Sequence, residues 1–319
     1  MKKKLAMKFM IGLLIMMMLS VGCSTNALLD YNNAVGKTED ITRGRMSLSI
    51  KVDNTFSTDG LSEEAISNLK NFEKIEMSMI SSFDNNQIKS VNDVYMNLGG
   101  MGIDAMIYSI EDYAYIRLPM INGYIKINLD ALDMSMSMDS SGTESLIRRV
   151  TKEWTDLLET ENVVKGEKSI MTTEDGEVKV TKFTVSPTED QLRLLLKKII
   201  AIVRSEKEVL ADFIQFADTD GGLDFDTLVR GIEQEIEEME KITFNSVAFI
   251  DIDGYIVKES IEIHFENYDP KPGQVIKRTV VISQENWDNE MEQNIVIPDI
   301  APEDLVDLNE AEDLFRNFR

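Results

Sequence analysis

The sequence predicts an α+β fold in which one curved antiparallel sheet wraps several helices within a single domain. The first observation is a series of short β-type segments that are separated by turn dipeptides, because hairpins of this kind build antiparallel sheets. The second is a small number of segments with apolar residues at helical spacing, which interrupt the strands rather than alternate with them. A division into two domains near residue 140 is the alternative.

The first 22 residues have the composition of a secretory signal peptide. Four lysines precede an apolar run over residues 9–21, which is shorter than the roughly 20 residues that a membrane span needs. A basic start, a short apolar run and small residues at its end are typical of signal peptides. The run ends in LSVGC, residues 19–23, which resembles the lipobox of bacterial lipoproteins. Ser20 stands where that motif commonly has Leu, and Leu19 lies one position earlier.

The resemblance implies that Cys23 becomes the lipidated first residue of the mature chain. Cys23 is the only cysteine, so no disulfide within the chain can form. Two or more acyl chains anchor a protein stably to a membrane. We therefore expect a lipid-anchored protein on the extracytoplasmic face of the cell membrane. Residues 23–44 are predicted to hold the lipidated cysteine and a polar tether.

The charge of the chain excludes one class of partner. The formal net charge is −24, and removal of the lysine-rich signal peptide would make the chain still more negative. Nucleic-acid binding needs clustered Lys and Arg side chains, so we expect no nucleic-acid partner. The 43% of hydrophobic residues is enough for a sizeable core. No cofactor is predicted.

Five dipeptides mark the predicted hairpin turns. They are Asn85-Asn86, Glu111-Asp112, Asn122-Gly123, Asp175-Gly176 and Asp253-Gly254. Asn-Gly and Asp-Gly pairs supply the positive φ that two-residue hairpin loops require. Residues 256–266 alternate as a strand with one buried face should. Val257, Ile261, Ile263 and Phe265 fall on the apolar side together with Glu259.

Four segments are predicted to be helical. Ser62 begins a short helix, and Ser141 with Glu144 forms the pattern of a capping box before the second. The sequence Ser186-Pro187-Thr188-Glu189 is predicted as another capping box, which opens the longest helix and extends to about Ala217. Asp224 or Asp226 caps the fourth. Further strands follow from residue 242 to residue 297.

These features together resemble a known family. The lipobox, the tether, the amphipathic segment LSEEAISNLKNF, the hairpins and the closing VIPDIAPEDLVDL are similar to lipid-anchored lipoproteins of low-GC Gram-positive bacteria with LolA/LppX-like architecture. The resemblance implies a half-barrel of antiparallel strands that helices close over an apolar cavity. The domain would cover residues 45–308, with a C-terminal tail at 309–319. It also implies binding of a lipid or of an acylated partner.

Methionine usage suggests which residues line such a cavity. Methionine is flexible and polarizable, and it is common on surfaces that adapt to variable apolar ligands, although ordinary core filling explains the same pattern. The predicted floor is Met77, Met79, Val94, Met96, Ile125 and Ile127. Leu195 and Ile199 would face this floor from the long helix. Met134, Met136 and Met138 would form the rim.

Catalytic and metal-site motifs have little support in this sequence. His264 is the only histidine and falls on the polar side of its strand, without the partners that catalysis or metal binding needs. Asp218, Asp220, Asp224 and Asp226 form an acidic loop, but their spacing does not match a calcium-binding EF-hand loop. Helix-stop and N-cap chemistry explains the same residues, so we predict no metal site and keep calcium as an alternative.

The predicted function is therefore non-enzymatic binding of an apolar ligand by a membrane-anchored lipoprotein. A structural or protein-interaction module with a fully packed core is the main alternative. A hydrolase with two acidic catalytic residues is a third hypothesis, and a deep cleft with paired carboxylates on the polar face would distinguish it. The sequence makes no prediction of oligomeric state.

Overall fold

The computed structural model describes residues 26–128, 143–174, 176–205, 207 and 225–306, apart from the side chains of 143–147 and 228. The described strands are β1 (Arg43–Phe56), β2 (Lys74–Asp84), β3 (Lys89–Leu98), β4 (Met101–Ile110), β5 (Tyr113–Arg117), β6 (Tyr124–Asn128), β7 (Val163–Thr173), β8 (Gly176–Val185), β9 (Lys241–Asp251), β10 (Ile256–Glu266), β11 (Val275–Trp287) and β12 (Leu305–Val306). The described α-helices are α1 (Ala27–Glu39), α2 (Glu63–Lys70), α3 (Thr143–Leu157), α4 (Glu189–Ser205) and α5 (Phe225–Glu238).

The strands form one large, open, curved sheet in the order β12-β6-β5-β4-β3-β2-β1-β11-β10-β9-β8-β7. All neighbours are antiparallel except β12, which runs parallel to β6, so the predicted antiparallel sheet is confirmed. Strands from before and after residue 140 meet where β1 pairs with β11 along almost its whole length. The two halves of the chain therefore share one sheet.

Each predicted turn lies at a strand end. β2 ends before Asn85, β4 ends before Glu111, and β9 ends before Asp253. The backbone has a φ of 50° at Glu111 and 90° at Gly254, as tight hairpin loops require. β8 begins at Gly176, directly after Asp175, which lies outside the described residues.

The segment that was predicted to be a tether is folded for most of its length. Residues 27–39 form α1, and β1 begins at residue 43. Tyr31 is only 1% exposed and Ala34 is also buried, because the apolar positions of α1 recur every three to four residues and face the sheet. Because the segment is polar in composition, its short apolar stripe was not recognised from the sequence. The prediction of a polar tether through residue 44 is therefore wrong for residues 27–39.

The start of the longest helix also differs from the prediction. Thr188, not Ser186, caps α4: its hydroxyl accepts a hydrogen bond from the Gln191 amide at 3.3 Å. The Gln191 side chain accepts one from the Thr188 amide at 2.8 Å, which completes a capping box. The predicted cap of α2 is confirmed, since the Ser62 hydroxyl accepts from the Ala65 amide. The predicted cap before α3 lies outside the described residues and side chains.

Three apolar clusters hold the sheet and helices together. α1 packs on β7, β8, β9 and β10 through a cluster that includes Tyr31, Phe183 and Ile250. α4 and α5 pack on β9 and β10 through a second cluster that includes Leu192 and Ile236. The third cluster lies at the other end of the sheet and includes Ile125. Helix packing is therefore concentrated on the second half of the sheet.

Residues 288–304 connect two distant parts of the sheet. They leave the end of β11, in the middle of the sheet, and reach β12 at the outer edge beside β6. In the strand order, β1, β2, β3, β4, β5 and β6 lie between β11 and β12. Gly123 allows the segment to dock, because a Cβ atom there would lie 2.5 Å from the Asp304 carbonyl oxygen. Among the helices that the structure describes, none is long and apolar enough to cross a membrane.

Candidate functional site

The strand register places the predicted cavity floor on one face of the sheet. Met77 lies directly opposite Met96, and Met79 lies opposite Val94. Residues that oppose each other in adjacent strands share a face, and the same face continues through β1, β4, β5 and β6. We call this surface the apolar face; it comprises Leu48, Ile50, Val52, Ile75, Met77, Met79, Val94, Met96, Ile103, Ala105, Ile125 and Ile127.

The apolar face is covered unevenly by the described residues. Ile125 is buried, whereas Met77, Met79, Val94 and Ile127 are half-buried. Exposure rises at one end, where Met96 is 42% exposed and Met101 is 57% exposed. Phe72, in the segment that leads from α2 into β2, is 48% exposed. Among the described residues, the face is therefore most open beside α2 and the β3–β4 turn.

The two predicted helix residues do not meet this floor in the structure. Leu195 and Ile199 are half-buried on α4, which packs on β9 through Leu192, Leu196 and Ile200 instead. β9 is separated from β2 by β10, β11 and β1. The structure thus places the helix residues over a different part of the sheet.

Most of the other predicted site residues lie outside the residues that the structure describes. Cys23, the rim candidates Met134, Met136 and Met138, and the acidic residues Asp218, Asp220 and Asp224 lie outside the described residues. Asp226 is described, and its carboxylate pairs with the Lys207 ammonium at 2.6 Å. His264 contacts Thr279 at 3.0 Å on the polar face. Among the residues that the structure describes, no three His, Cys, Asp or Glu side chains converge as metal ligands do.

A cavity lies between α5 and the loop that joins β10 to β11. Its volume is about 280 Å³. Met239, Phe265, Val275 and Ile276 supply apolar lining, and the remaining lining is Gly231, Gln234, Glu235, Glu238, Glu266, Asn267, Gly273 and Gln274. We call it the α5 cavity. None of the predicted floor residues lines it, so the sequence located the apolar face but not this space.

The carboxylates at the α5 cavity are paired with cations. Glu238 lies 3.6 Å from the Lys271 ammonium, and Glu266 lies 3.5 Å from that of Lys277. A hydrogen bond from Gln234 lowers the pKa of Glu238, and one from Tyr268 lowers the pKa of Glu266. Both carboxylates are therefore ionised near neutral pH, and the mouth of the cavity is a region of balanced charge.

Arg278 lies between the α5 cavity and the apolar face. In the register it opposes Asn54 of β1 and Phe265 of β10, on the same side of the sheet as Val280. Its Nε donates to Asn54 Oδ1 at 2.7 Å, and its Nη1 lies 2.6 Å from Glu235 Oε1 on α5. No sequence motif singles out this arginine, although the alternation of residues 278–282 places it in line with Val280 and Ile282.

A buried carboxyl group ties α1 to the sheet. Glu259 Oε1 accepts hydrogen bonds from the Ser246 hydroxyl at 2.6 Å and from the Tyr31 hydroxyl at 3.2 Å. The Trp154 indole donates to the Tyr31 hydroxyl at 3.2 Å. Burial raises the pKa of Glu259 and, more strongly, that of Tyr31. We call these four residues the Tyr31 cluster; they position α1 and α3 on β9 and β10.

Comparisons with known proteins show distant similarities only. No protein-family model matches the chain, and no curated protein matches it. A LolA superfamily protein from Nitrosomonas europaea is similar at 9% identity and a TM-score of 0.23, over 86% of this chain and 98% of that one. A DUF1329 family protein from Desulfovibrio piger has 9% identity and a TM-score of 0.21, over 83% and 94% of the two chains.

A β-barrel-like DUF1849 protein from Brucella abortus is similar at 8% identity and a TM-score of 0.20, over 77% of this chain and 99% of that one. These similarities do not assign the chain to a family.

Proposed function

We propose that the protein is a non-enzymatic lipoprotein that binds an acyl chain along the apolar face of its sheet. The chain belongs to a lipid or to an acylated partner. The protein is held on the extracytoplasmic face of the membrane through lipidated Cys23. The sequence of residues 1–23 supports the anchor, and the apolar face supports the ligand class.

One observation carries the ligand proposal: the apolar face is continuous across strands, and among the described residues it is exposed beside α2 and the β3–β4 turn. Met96 and Met101 are exposed there, whereas Ile125 on β6 is buried. Adjacent strands are about 4.8 Å apart, so the face from β1 to β6 spans about 24 Å, which suits an extended chain. Each buried CH₂ group contributes about 0.8 kcal/mol to binding. An acyl chain therefore binds through area alone, and the methionines adjust to its shape.

The packed interaction module is the second candidate, and the size of the α5 cavity favours it. Small-molecule pockets usually enclose about 300–1,000 Å³, whereas the α5 cavity, which lies between a helix and the sheet, has about 280 Å³. A larger groove of about 560 Å³ is lined by residues of β7, β8 and β9 and of the turn after β9, and by no described helix. In that case the polar face of the sheet would bind a protein or cell-wall partner. The two candidates differ in whether the purified protein carries lipid.

The test is native mass spectrometry of residues 24–319, expressed in bacteria without the anchor, followed by organic extraction. Extra mass that extracts as lipid supports the proposal. A Met96→Lys variant should lose this mass, because it places a charge on the apolar face. Ile80→Lys is the matched control, since Ile80 is 50% exposed and points to the opposite face of the adjacent strand.

A clean ligand-free mass that persists after incubation with acyl lipids would move the assignment to the packed module. The anchor is tested separately in the full chain. Cys23→Ser should move the protein from the membrane fraction to the soluble fraction, whereas an unchanged membrane fraction would contradict lipidation at this residue.

A further inference from the structure

Arg278 is a cation on the side of the sheet that carries the apolar face. Val280 and Ile282 follow it on the same face of β11, and Val52 lies next to Asn54 along that face of β1. Its guanidinium contacts Asn54, which is half-buried, and Glu235, which is exposed. An ion pair that is this accessible to water adds little to stability. Folding alone therefore gives no strong reason for an arginine at this position.

The neighbouring groups fix the guanidinium in one orientation. Asn54 accepts from Nε, while its own amide nitrogen donates to the Phe72 carbonyl at 2.7 Å. Asn54 is thus held from both sides. Glu235 lies on α5, and its side chain is 44% exposed, so this partner is exchangeable with another anion. The arginine is oriented, while the position of its counter-ion is open to competition.

We propose that Arg278 binds the anionic head of an amphiphile whose acyl chain lies along the apolar face. The head is a carboxylate or a phosphate, which a planar guanidinium binds through two parallel hydrogen bonds. This inference rests on the proposed function, and it adds the chemical class of the ligand.

The charges around Arg278 set the direction in which the ligand lies. Glu235, Glu238 and Glu266 line the α5 cavity and are each paired with a cation, so this side offers an anionic head no net attraction beyond Arg278 itself. On the other side, the apolar face begins at Val52 and Ile75, which are directly opposed. The head therefore displaces Glu235 from Arg278, and the chain extends over β1, β2 and β3 towards the exposed Met96.

Matched single-chain amphiphiles test this arrangement. Palmitate, palmitoyl lysophosphatidic acid and monopalmitoylglycerol carry the same acyl chain with a carboxylate, a phosphate or a neutral head. Their affinities for residues 24–319 are measured by isothermal titration below the micellar concentration. We expect at least one anionic ligand to bind about tenfold more tightly than the neutral one, which corresponds to about 1.4 kcal/mol. The ranking of palmitate against the phosphate identifies the head.

Three variants distinguish a role in binding from a role in folding. Arg278→Gln should remove the tenfold preference and leave the affinity for monopalmitoylglycerol unchanged. Lys277→Gln removes the same charge from the adjacent residue, which points to the opposite face and pairs with Glu266, and should keep the preference. Glu235→Gln should strengthen binding of the anionic ligand, because it removes the competing carboxylate.

The outcomes distinguish failure of the role of Arg278 from failure of the proposed acyl-chain binding. Equal affinities for all three ligands in the unmodified protein would overturn the role of Arg278 and leave acyl-chain binding intact. Absence of binding by every ligand would overturn both. If Arg278→Gln does not fold, the Glu235→Gln variant still decides, since an unchanged affinity for the anionic ligands would contradict the competition.

Discussion

Removing the hydroxyl of Tyr31 should loosen α1 from the sheet. The Tyr31→Phe substitution keeps the buried ring but deletes an atom that has two partners. The hydroxyl donates to Glu259 and accepts from the Trp154 indole. After substitution, Glu259 retains Ser246 as its partner, and Trp154 loses its acceptor. The change is therefore a test of whether the segment before β1 is part of the fold.

The expected loss follows from these two contacts. A hydrogen bond to a charged group contributes about 1.5–3 kcal/mol, and a buried donor without a partner costs about 1–3 kcal/mol. Trp154 is only half-buried, so water satisfies part of its need. We expect the free energy of unfolding to fall by about 2–4 kcal/mol. For a chain of this size that lowers the Tm by roughly 4–8 °C.

Thermal and urea unfolding of residues 24–319 measure this change. Leu29→Ala is the control on the same helix, because Leu29 is exposed and its loss should change stability by less than about 0.5 kcal/mol. A double-mutant cycle with Glu259→Gln should give a coupling energy of at least about 1 kcal/mol. If Tyr31→Phe is as stable as the unmodified protein, α1 is not docked and residues 24–42 are a tether after all.

Two further predictions concern Glu259 and the closing segment. Burial raises the pKa of Glu259 above its usual value of 4.5, so its contribution to stability is complete below that pH and decreases as the pH rises through the raised pKa. Urea unfolding from pH 4 to 8 should therefore show Glu259→Gln becoming more stable relative to the unmodified protein as pH increases; a constant difference contradicts the burial. Gly123→Ala should undock β12, because the new Cβ would lie 2.5 Å from the Asp304 oxygen and 2.9 Å from Val306 Cγ2, and amide exchange in β6 and β12 should accelerate. Gly60→Ala is the control, with a φ of 78° and no atoms within 4 Å, and equal effects of the two substitutions would argue against the clash.

Local chemistry made the sheet predictable. Turn dipeptides are read from adjacent residues, and alternation over residues 256–266 assigns each side chain to a face. Met77, Met79, Val94 and Met96 are predicted on one surface from these local patterns, and the register shows them opposed in pairs. The same alternation placed Glu259 among apolar residues, where the structure has it. These properties depend on neighbours in sequence, so one sequence was sufficient to find them.

Contacts between residues that are far apart in the sequence could not be predicted from local patterns. The fold of α1 depends on contacts between Tyr31 and residues more than 120 positions away, and no local signal identifies them. Likewise, Leu195 and Ile199 have the right spacing for a helix over a sheet, but spacing does not say which strands lie beneath. The order of strands places α4 over β9 rather than over β2. The docking of α1 and the position of α4 both depend on the order of the strands, which local sequence patterns do not determine.

The partners of Glu259 and Arg278 indicate that these two charged residues on the apolar side of the sheet have different roles. Glu259 is enclosed by neutral groups: the Ser246 hydroxyl is fully buried, and Tyr31 covers it from α1. Replacing those partners requires unfolding, so this carboxyl group specifies how the helix sits. Arg278 has a charged partner on a different element, and that partner is partly exposed to water. A ligand anion replaces such a partner without any change in the backbone, because both charges are satisfied before and after binding. Recognition of an amphiphile requires a charged residue at the end of an apolar surface, with a partner that the ligand can replace. A structural junction requires a charged residue whose partners are enclosed.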